Sequence, residues 1–420
     1  MSELFTVLPP GDAFAVFGRG CSRIERTEIV PLEAALGRVL AEDLVARETL
    51  PSFARSTMDG YAVRSADTAG ASEQSPAYLR LVDDVPTGVV PAIPVGPREA
   101  ARTHTGAMIP PGADAVVMVE DTNLHPATGS GQAEVEVLDA AAPGENVLTV
   151  GEDVRAGSVA IPAGRRLRAA EVGGLAALGI VRVEVRARPR IAILSTGDEV
   201  VPAGAVPAAA QVRDVNGTTV AAVVARAGGE AVPCGIVADD AAELEQALRA
   251  AVDGADAVVL SAGSSVSVRD LTAQVVARLG APGVLVHGIA IKPGKPTVLA
   301  ICDGTPVVGL PGNPASALVV AWRIVRPLVR LLGGEHVDAD AAGDDSETTA
   351  VLDVPTPSRP GREDFVPCTL ARDAAGVLHA TPVFGASNLI FTLIRADALI
   401  AVPLDRSGLA AGETVRVIVP

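Results

Sequence analysis

The sequence predicts a multidomain protein of α/β plus β class, with a central α/β domain, a mainly parallel sheet within it, and small β domains before and after it. Three observations lead there. At 420 residues the chain is too long for one core. Between residues 190 and 332, short apolar runs without alternation are separated by helical patterns, which suits strands buried on both faces of a parallel sheet. In residues 79–138 and again from 350 onward, short alternating segments are broken by Pro and Gly, the pattern of β structure.

Taken in order, residues 1–50 read as helical, and 31–41 place Leu32, Leu36, Val39 and Leu40 on one helical face. Residues 51–64 are turn-rich and gather Phe53, Met58 and Tyr61 in a chain only 2% aromatic. Gly144, Gly151, Gly157 and Gly164 then punctuate a series of turns. A short helix is expected over 171–178, a strand over 181–185 and a boundary at Pro189. Strands follow at 191–194 and 231–237 and a helix at 216–227. Asp240 and Glu243 form a capping-box pattern ahead of a helix carrying Leu244, Leu248 and Val252. Further helices are expected over 270–279 and 314–332, the latter started by Pro314. The expected domains are 1–50 with 144–188, an inserted 51–143, then 189–333 and 345–420.

Composition narrows the function. A formal net charge of −16 argues against a nucleic-acid binder, though not against a local basic pocket. No apolar run is long enough to span a membrane, and no signal peptide is evident. Cys21, Cys234, Cys302 and Cys368 form no CxxC pair, which favours a reduced, cytoplasmic protein. No GxxxxGK[ST] or GxGxxG loop exists.

Three apolar runs stop at turns rich in small or charged residues. The run 258–260 stops at Ser261-Ala262-Gly263-Ser264-Ser265. The run 288–291 stops at Lys292-Pro293-Gly294-Lys295-Pro296. The run 307–310 stops at Pro311-Gly312-Asn313-Pro314. Ligands of open α/β sheets bind beyond the carboxyl ends of strands, so the three turns are expected to converge on one anion. Two lysines offer charge, and the helix starting after Pro311-Gly312-Asn313 offers N–H groups. Ser195-Thr196-Gly197-Asp198-Glu199 ends another strand, readable either as a ligand loop or as an ordinary capped turn. Asp240 reads as a cap, leaving Asp239 freer to hold Mg²⁺, although adjacent acids at helix starts are common.

Together with Ser56-Thr57-Met58-Asp59-Gly60-Tyr61-Ala62-Val63, Thr105-Gly106-Ala107, Gly151-Glu152-Asp153 and Asp214-Val215-Asn216, these stretches closely resemble the MoeA family of molybdopterin molybdenumtransferases, whose animal counterpart is the gephyrin E domain. The α/β part alone also resembles MogA-type and CinA-type proteins. The resemblance implies a four-domain, elongated homodimer in the cytoplasm that converts adenylylated molybdopterin and molybdate to molybdenum cofactor and AMP with Mg²⁺. It implies catalytic roles for Asp59 and Thr105, supplied by the partner subunit, and for Glu199, Asp239, Asp270, Lys292 and Lys295, with Asp239 and Asp270 on the metal. It implies substrate contacts from Ser195, Thr196, Gly197, Gly263, Ser265, Pro311, Gly312, Asn313, Ser316, Arg362 and Ser387, and contacts with other cofactor-biosynthesis proteins. The chain departs from the family at Ala262, Ser267, Leu271 and Leu148-Thr149-Val150. Those departures keep open a weakly active, molybdopterin-binding scaffold; a tungstate-preferring homologue is another alternative.

Overall fold

The structure is a computed structural model that describes residues 7–127, 132–262, 266–335 and 347–419, with 266–270 described by backbone only. Contacts divide the chain into two compact units. One comprises Met1–Glu42, Ala163–Val172 and Val181–Pro420, the other Asp43–Pro162 and Gly173–Ile180.

The second unit is built on a six-stranded sheet in the order Ala115–Met118, Gly60–Val63, Glu99–Thr103, Ala77–Val85, Glu134–Val137, Thr122–His125. The strand Gly60–Val63 is buried along its whole length. Tyr61 and Val63 join one apolar cluster with Leu79 and Val135, and Ala62 joins another with Ile109 and Val116, as alternation across a pleat requires. Gly60 has no substitute here: a Cβ would lie 1.9 Å from the Val117 carbonyl oxygen.

In the first unit, a six-stranded sheet runs in the order Glu230–Val237, Arg190–Thr196, Ala257–Ser261, Thr305–Leu310, Val298–Cys302, Pro282–His287. The first four strands are parallel, Val298–Cys302 runs antiparallel to them, and Pro282–His287 runs antiparallel to Val298–Cys302. Ile191 and Ile193 pack on one face with helix Asn216–Arg226, while Ala192 and Leu194 pack on the other with helix Ala241–Gly254. Both faces are covered, so the strand sequences are continuous apolar runs. The C-terminal strands close a ring: Glu363–Arg372 pairs with Leu378–Pro382 and with Ala398–Val402, and Thr414–Ile418 and Glu347–Leu352 complete the barrel.

Two expectations are corrected. Residues 31–41 do not form a helix. Only Leu32–Ala34 makes one 3₁₀ turn, Leu36 is 65% exposed, and Gly37 adopts a φ of +74°. Val39 and Leu40 are instead bridged to Arg166 and Val185, beside the pairing of Thr27–Pro31 with Arg182–Arg186. Partners distant in sequence outweigh the local helical spacing. The helix of this region is Pro10–Gly18, whose Phe14 and Phe17 enter the α/β core.

The run 288–291 does not join the α/β sheet. Val298–Cys302 takes the place beside Thr305–Leu310, and Gly288, at φ +95°, turns the chain out of that layer. Ile291 and Lys292 then pair, parallel, with Glu363 and Asp364 of the barrel.

The last helix runs as Pro314–Val320, a π turn over Ala321–Val325, and Arg326–Leu332. Pro327 has no N–H for a carbonyl four residues back, and the widened turn accommodates it. Among the described residues, no helix is long and apolar enough to cross a membrane.

Asp240 does cap helix Ala241–Gly254, accepting hydrogen bonds from the N–H groups of Ala242 at 2.9 Å and Glu243 at 3.0 Å. Asp240→Ala is expected to cost about 0.5–2 kcal/mol of stability. A lowered midpoint in urea denaturation checks this; an unchanged midpoint would show that the cap contributes nothing.

Candidate active site

The carboxyl ends of the parallel strands are tied together by the tripeptide that opens helix Asn216–Arg226. The Ser195 hydroxyl donates to Asp214 Oδ2 at 2.9 Å, and Asp214 Oδ1 accepts from the Gly217 N–H at 2.9 Å. Asn216 Nδ2 donates to Ser261 Oγ at 2.6 Å and to the Gly312 carbonyl at 2.9 Å. Ser195, Asn216 and Ser261 are all buried. Three strand ends are therefore fixed by two side chains. Beside them the buried Thr196 hydroxyl donates to Asp239 Oδ1 at 2.8 Å, and the Asp239 N–H donates to Asp198 Oδ1 at 3.1 Å. Gly197 sits at φ +147°, where a Cβ would lie 2.8 Å from Glu199 Oε2. The Glu199 residue itself is exposed.

The lysine loop lines a cavity of about 940 Å³. Its walls are the loop 291–296, the start of helix Pro314–Val320, and the barrel segments around Arg362 and Ser387. Gly294, at φ +126°, packs so closely on this helix that a Cβ would lie 2.4 Å from Val320 Cγ2. The Thr297 hydroxyl donates to the Gly294 carbonyl at 2.7 Å, and the Ile289 N–H donates to the Lys295 carbonyl at 3.0 Å. These bonds fix the loop while Lys292 and Lys295 remain exposed. Asp364, only 1% exposed, lies in register with Lys292. Its oxygens accept from Arg362 Nε at 2.8 Å and Nη2 at 3.3 Å, and Lys292 Nζ lies 3.8 Å from Oδ2. Asn313 Nδ2 donates to Ser387 Oγ at 3.0 Å. The Ala315 N–H, expected to face an anion, donates instead to the Ser387 carbonyl at 3.0 Å.

In the second unit, Asp59 and Thr105 meet. Asp59 Oδ1 accepts from the Thr105 N–H at 2.7 Å and from its hydroxyl at 3.1 Å. The two turns are joined through backbone as well: the Gly106 N–H donates to the Ser56 carbonyl, and the Ser56 N–H to that of Ala107. The Thr105 backbone N–H above all, then its hydroxyl, holds the Asp59 carboxyl below its ordinary range.

Comparison with known proteins gives this geometry a family. Residues 8–179 match the MoeA N-terminal region (domains I and II), 192–331 a probable molybdopterin binding domain, and 349–419 the MoeA C-terminal region (domain IV). The molybdopterin molybdenumtransferase of Nostoc sp. is 35% identical over 93% of this chain and 88% of its own length. Molybdopterin molybdenumtransferase 2 of Mycobacterium tuberculosis is 36% identical over 92% and 94%. The chain belongs to the molybdopterin molybdenumtransferase family. A crystal structure of the molybdopterin biosynthesis MoeA protein of Pyrococcus horikoshii OT3 superposes with a TM-score of 0.80, at 28% identity, covering 99% of this chain and 100% of that one.

Of the residues that the family resemblance singles out, Lys292, Lys295, Pro311, Asn313, Ser316, Arg362 and Ser387 line one cavity. Ser195, Thr196, Gly197 and Asp239 form the neighbouring strand-end network with the Gly312 carbonyl. Asp59 and Thr105 belong to the other compact unit. Gly263 and Ser265 lie outside the described residues, as does the side chain of Asp270. Among the described residues no cluster of three or more His, Cys, Asp or Glu is arranged to hold a metal. Sequence reasoning missed Asp364 as the partner of Arg362 and Lys292, and missed how Asp214 and Asn216 tie the loops. The Asp214-Val215-Asn216 motif was the available signal for the second; for Asp364 the only signal was an acid two residues beyond Arg362.

The Asp59 contact has a pH signature. A carboxyl held below its unfolded value contributes stability in full above that value, and loses it as pH falls through the folded one, so the window lies at and below the ordinary aspartate value of 3.8. Thr105→Ala removes the hydroxyl but keeps the backbone N–H. The Asp59 pKa should rise part of the way toward the ordinary value, measured by carboxyl NMR titration. No rise would show the hydroxyl to be irrelevant.

Proposed function

We propose that this chain is a transferase that inserts molybdate into adenylylated molybdopterin and releases AMP. The observation that carries the reading is the cavity where Lys292, Lys295, Arg362 and Ser387 come together in a family of molybdopterin molybdenumtransferases. Molybdate is a tetrahedral dianion, and ammonium, guanidinium and hydroxyl donors suit it. The same cations can offset charge that develops as the phosphoanhydride bond breaks. The relatives reported above are named for molybdenum, so tungstate preference is not favoured.

Asp239 and Asp270 are the proposed ligands of Mg²⁺, which when bound polarises a phosphoryl oxygen. The fit rests on donor chemistry: Asp239 and the nearby Asp198 offer hard carboxylate oxygens, and Thr196 orients Asp239 through one oxygen only. The catalytic roles of Asp59, Thr105 and Glu199 belong to the same reading. Asp59 and Thr105 serve the partner subunit's pocket in a homodimer; their support is an exposed carboxylate held in place by Thr105. A division into 1–50 with 144–188, 51–143, 189–333 and 345–420, and residence in the cytoplasm, where thiols stay reduced, complete the proposal. A weakly active scaffold is less favoured. Ala262, one of the departures, is 4% exposed and its N–H bonds the Leu310 carbonyl, so its methyl is packed into the protein.

Single-turnover AMP release with adenylylated molybdopterin, Mg²⁺ and molybdate tests the reading, and no AMP would sink it. Lys292→Ala and Lys295→Ala should each lose roughly ten- to a hundredfold in binding or rate, the loss of charge-assisted contacts worth about 1.5–3 kcal/mol. Their melting temperatures should stay near that of the parent. Normal AMP release in both would remove the lysines from the site.

Mixing Asp59→Asn subunits with Lys295→Ala subunits should restore one competent site per mixed dimer. Failure to recover activity under subunit exchange would exclude a shared site.

A further inference from the structure

The cavity holds a cation that neither the sequence motifs nor the family resemblance singles out. Arg359 lines the same cavity as Lys292, Lys295 and Arg362. Among the described cavity-lining residues the only acid is Asp364, so four cations face one carboxylate. This stands out in a chain with 50 acidic and 34 basic residues.

The two arginines differ in their commitments. Arg362 is held by both oxygens of the buried Asp364. Arg359 is exposed and has no carboxylate partner among the described residues. Its backbone is nevertheless fixed. Pro357 and Pro360 restrict the chain around it, the Ser358 N–H donates to the Ser407 carbonyl at 2.9 Å, and the Gly361 N–H donates to the Leu404 carbonyl at 2.7 Å. Gly361, at φ +90°, completes the turn that carries the chain to Arg362. A fixed backbone thus presents at the cavity a guanidinium whose donors meet no hydrogen-bond acceptor among the described residues.

We infer that Arg359 is an oxyanion-capturing residue, which draws molybdate into the cavity and holds it there ahead of Arg362 and the lysines. The inference rests on the insertase reading for the identity of the anion. Cations at the wall of a cleft focus its field and raise the local concentration of an anionic substrate, and salt screens the effect. Arg359 therefore acts on capture rather than on bond breaking, and a guanidinium can meet two oxygens of a tetrahedral anion at once.

The test is single-turnover AMP release by the full chain, with molybdate titrated at low and high sodium chloride, in the parent, Arg359→Ala, Arg359→Lys and Arg359→Glu. Arg359→Ala should raise the half-saturating molybdate concentration about tenfold, Arg359→Glu should raise it further and Arg359→Lys less, with the limiting rate within about twofold of the parent. Salt should raise half-saturation more steeply in the parent than in Arg359→Ala. Unchanged half-saturation in both Arg359→Ala and Arg359→Glu overturns the inference, as does a lower limiting rate at unchanged half-saturation. If the parent itself releases no AMP, the insertase reading fails instead. Calorimetric titration of molybdate into parent and Arg359→Ala then decides the capture role: about tenfold weaker binding in the variant supports it, and equal or absent binding in both overturns it.

Discussion

Asp364 is 1% exposed, and it shares its two oxygens between Arg362 and the neighbourhood of Lys292. The cavity gathers like charges, and like charges repel when no anion lies between them. A buried carboxylate in contact with two of them offsets part of that repulsion and sets the direction in which the guanidinium points. Such a group is tolerated in a protein interior only where partners satisfy it, and here the partners are two of the cations that line the cavity. Arg362 and Lys292 meet at Asp364, and the strand register that places it opposite Lys292 is what makes this possible.

The strand ends follow a different logic, since there the ties are hydrogen bonds from one helix start and not pairs of opposite charge. Asn216 spans Ser261 and Gly312, and Asp214 reaches Ser195 while closing the first turn of its own helix. Each turn leaving a parallel sheet is short of partners once the ladder ends. Side chains from a single helix start supply them, so the turns keep a common spacing without depending on one another's sequence. Among the described residues, the buried Asn216 Oδ1 has no hydrogen-bond partner.

Much of this could be read from the chain. The strands at 191–194, 258–260 and 307–310 were legible because sheet faces covered on both sides leave uninterrupted apolar runs. The motifs around Lys292 and Asn313 were legible because Pro and Gly mark turns whatever surrounds them. What escaped depends on distant partners. The run 288–291 has the composition of an α/β strand, and nothing local tells it that its hydrogen bonds lie in the barrel. Val39 and Leu40 have helical spacing but are claimed by Arg166 and Val185. Asp364 reads as an ordinary strand acid until its register with Lys292 is known. The helix after Asn313 was expected to present its first N–H groups to an anion, yet Ser387 from the barrel takes the one on Ala315.

The pairing of Ile291–Lys292 with Glu363–Asp364 also bears on how such a protein can be divided. By sequence the lysine loop belongs to the α/β layer, yet its backbone is hydrogen-bonded as a sixth strand on the C-terminal sheet. The seam between these two modules therefore runs through the site and not through the linker that joins them. An α/β layer copied elsewhere in a genome without its barrel would keep both lysines but lose the strand that aligns them. A cut between the two modules would divide the cavity that Lys292 and Arg362 line together.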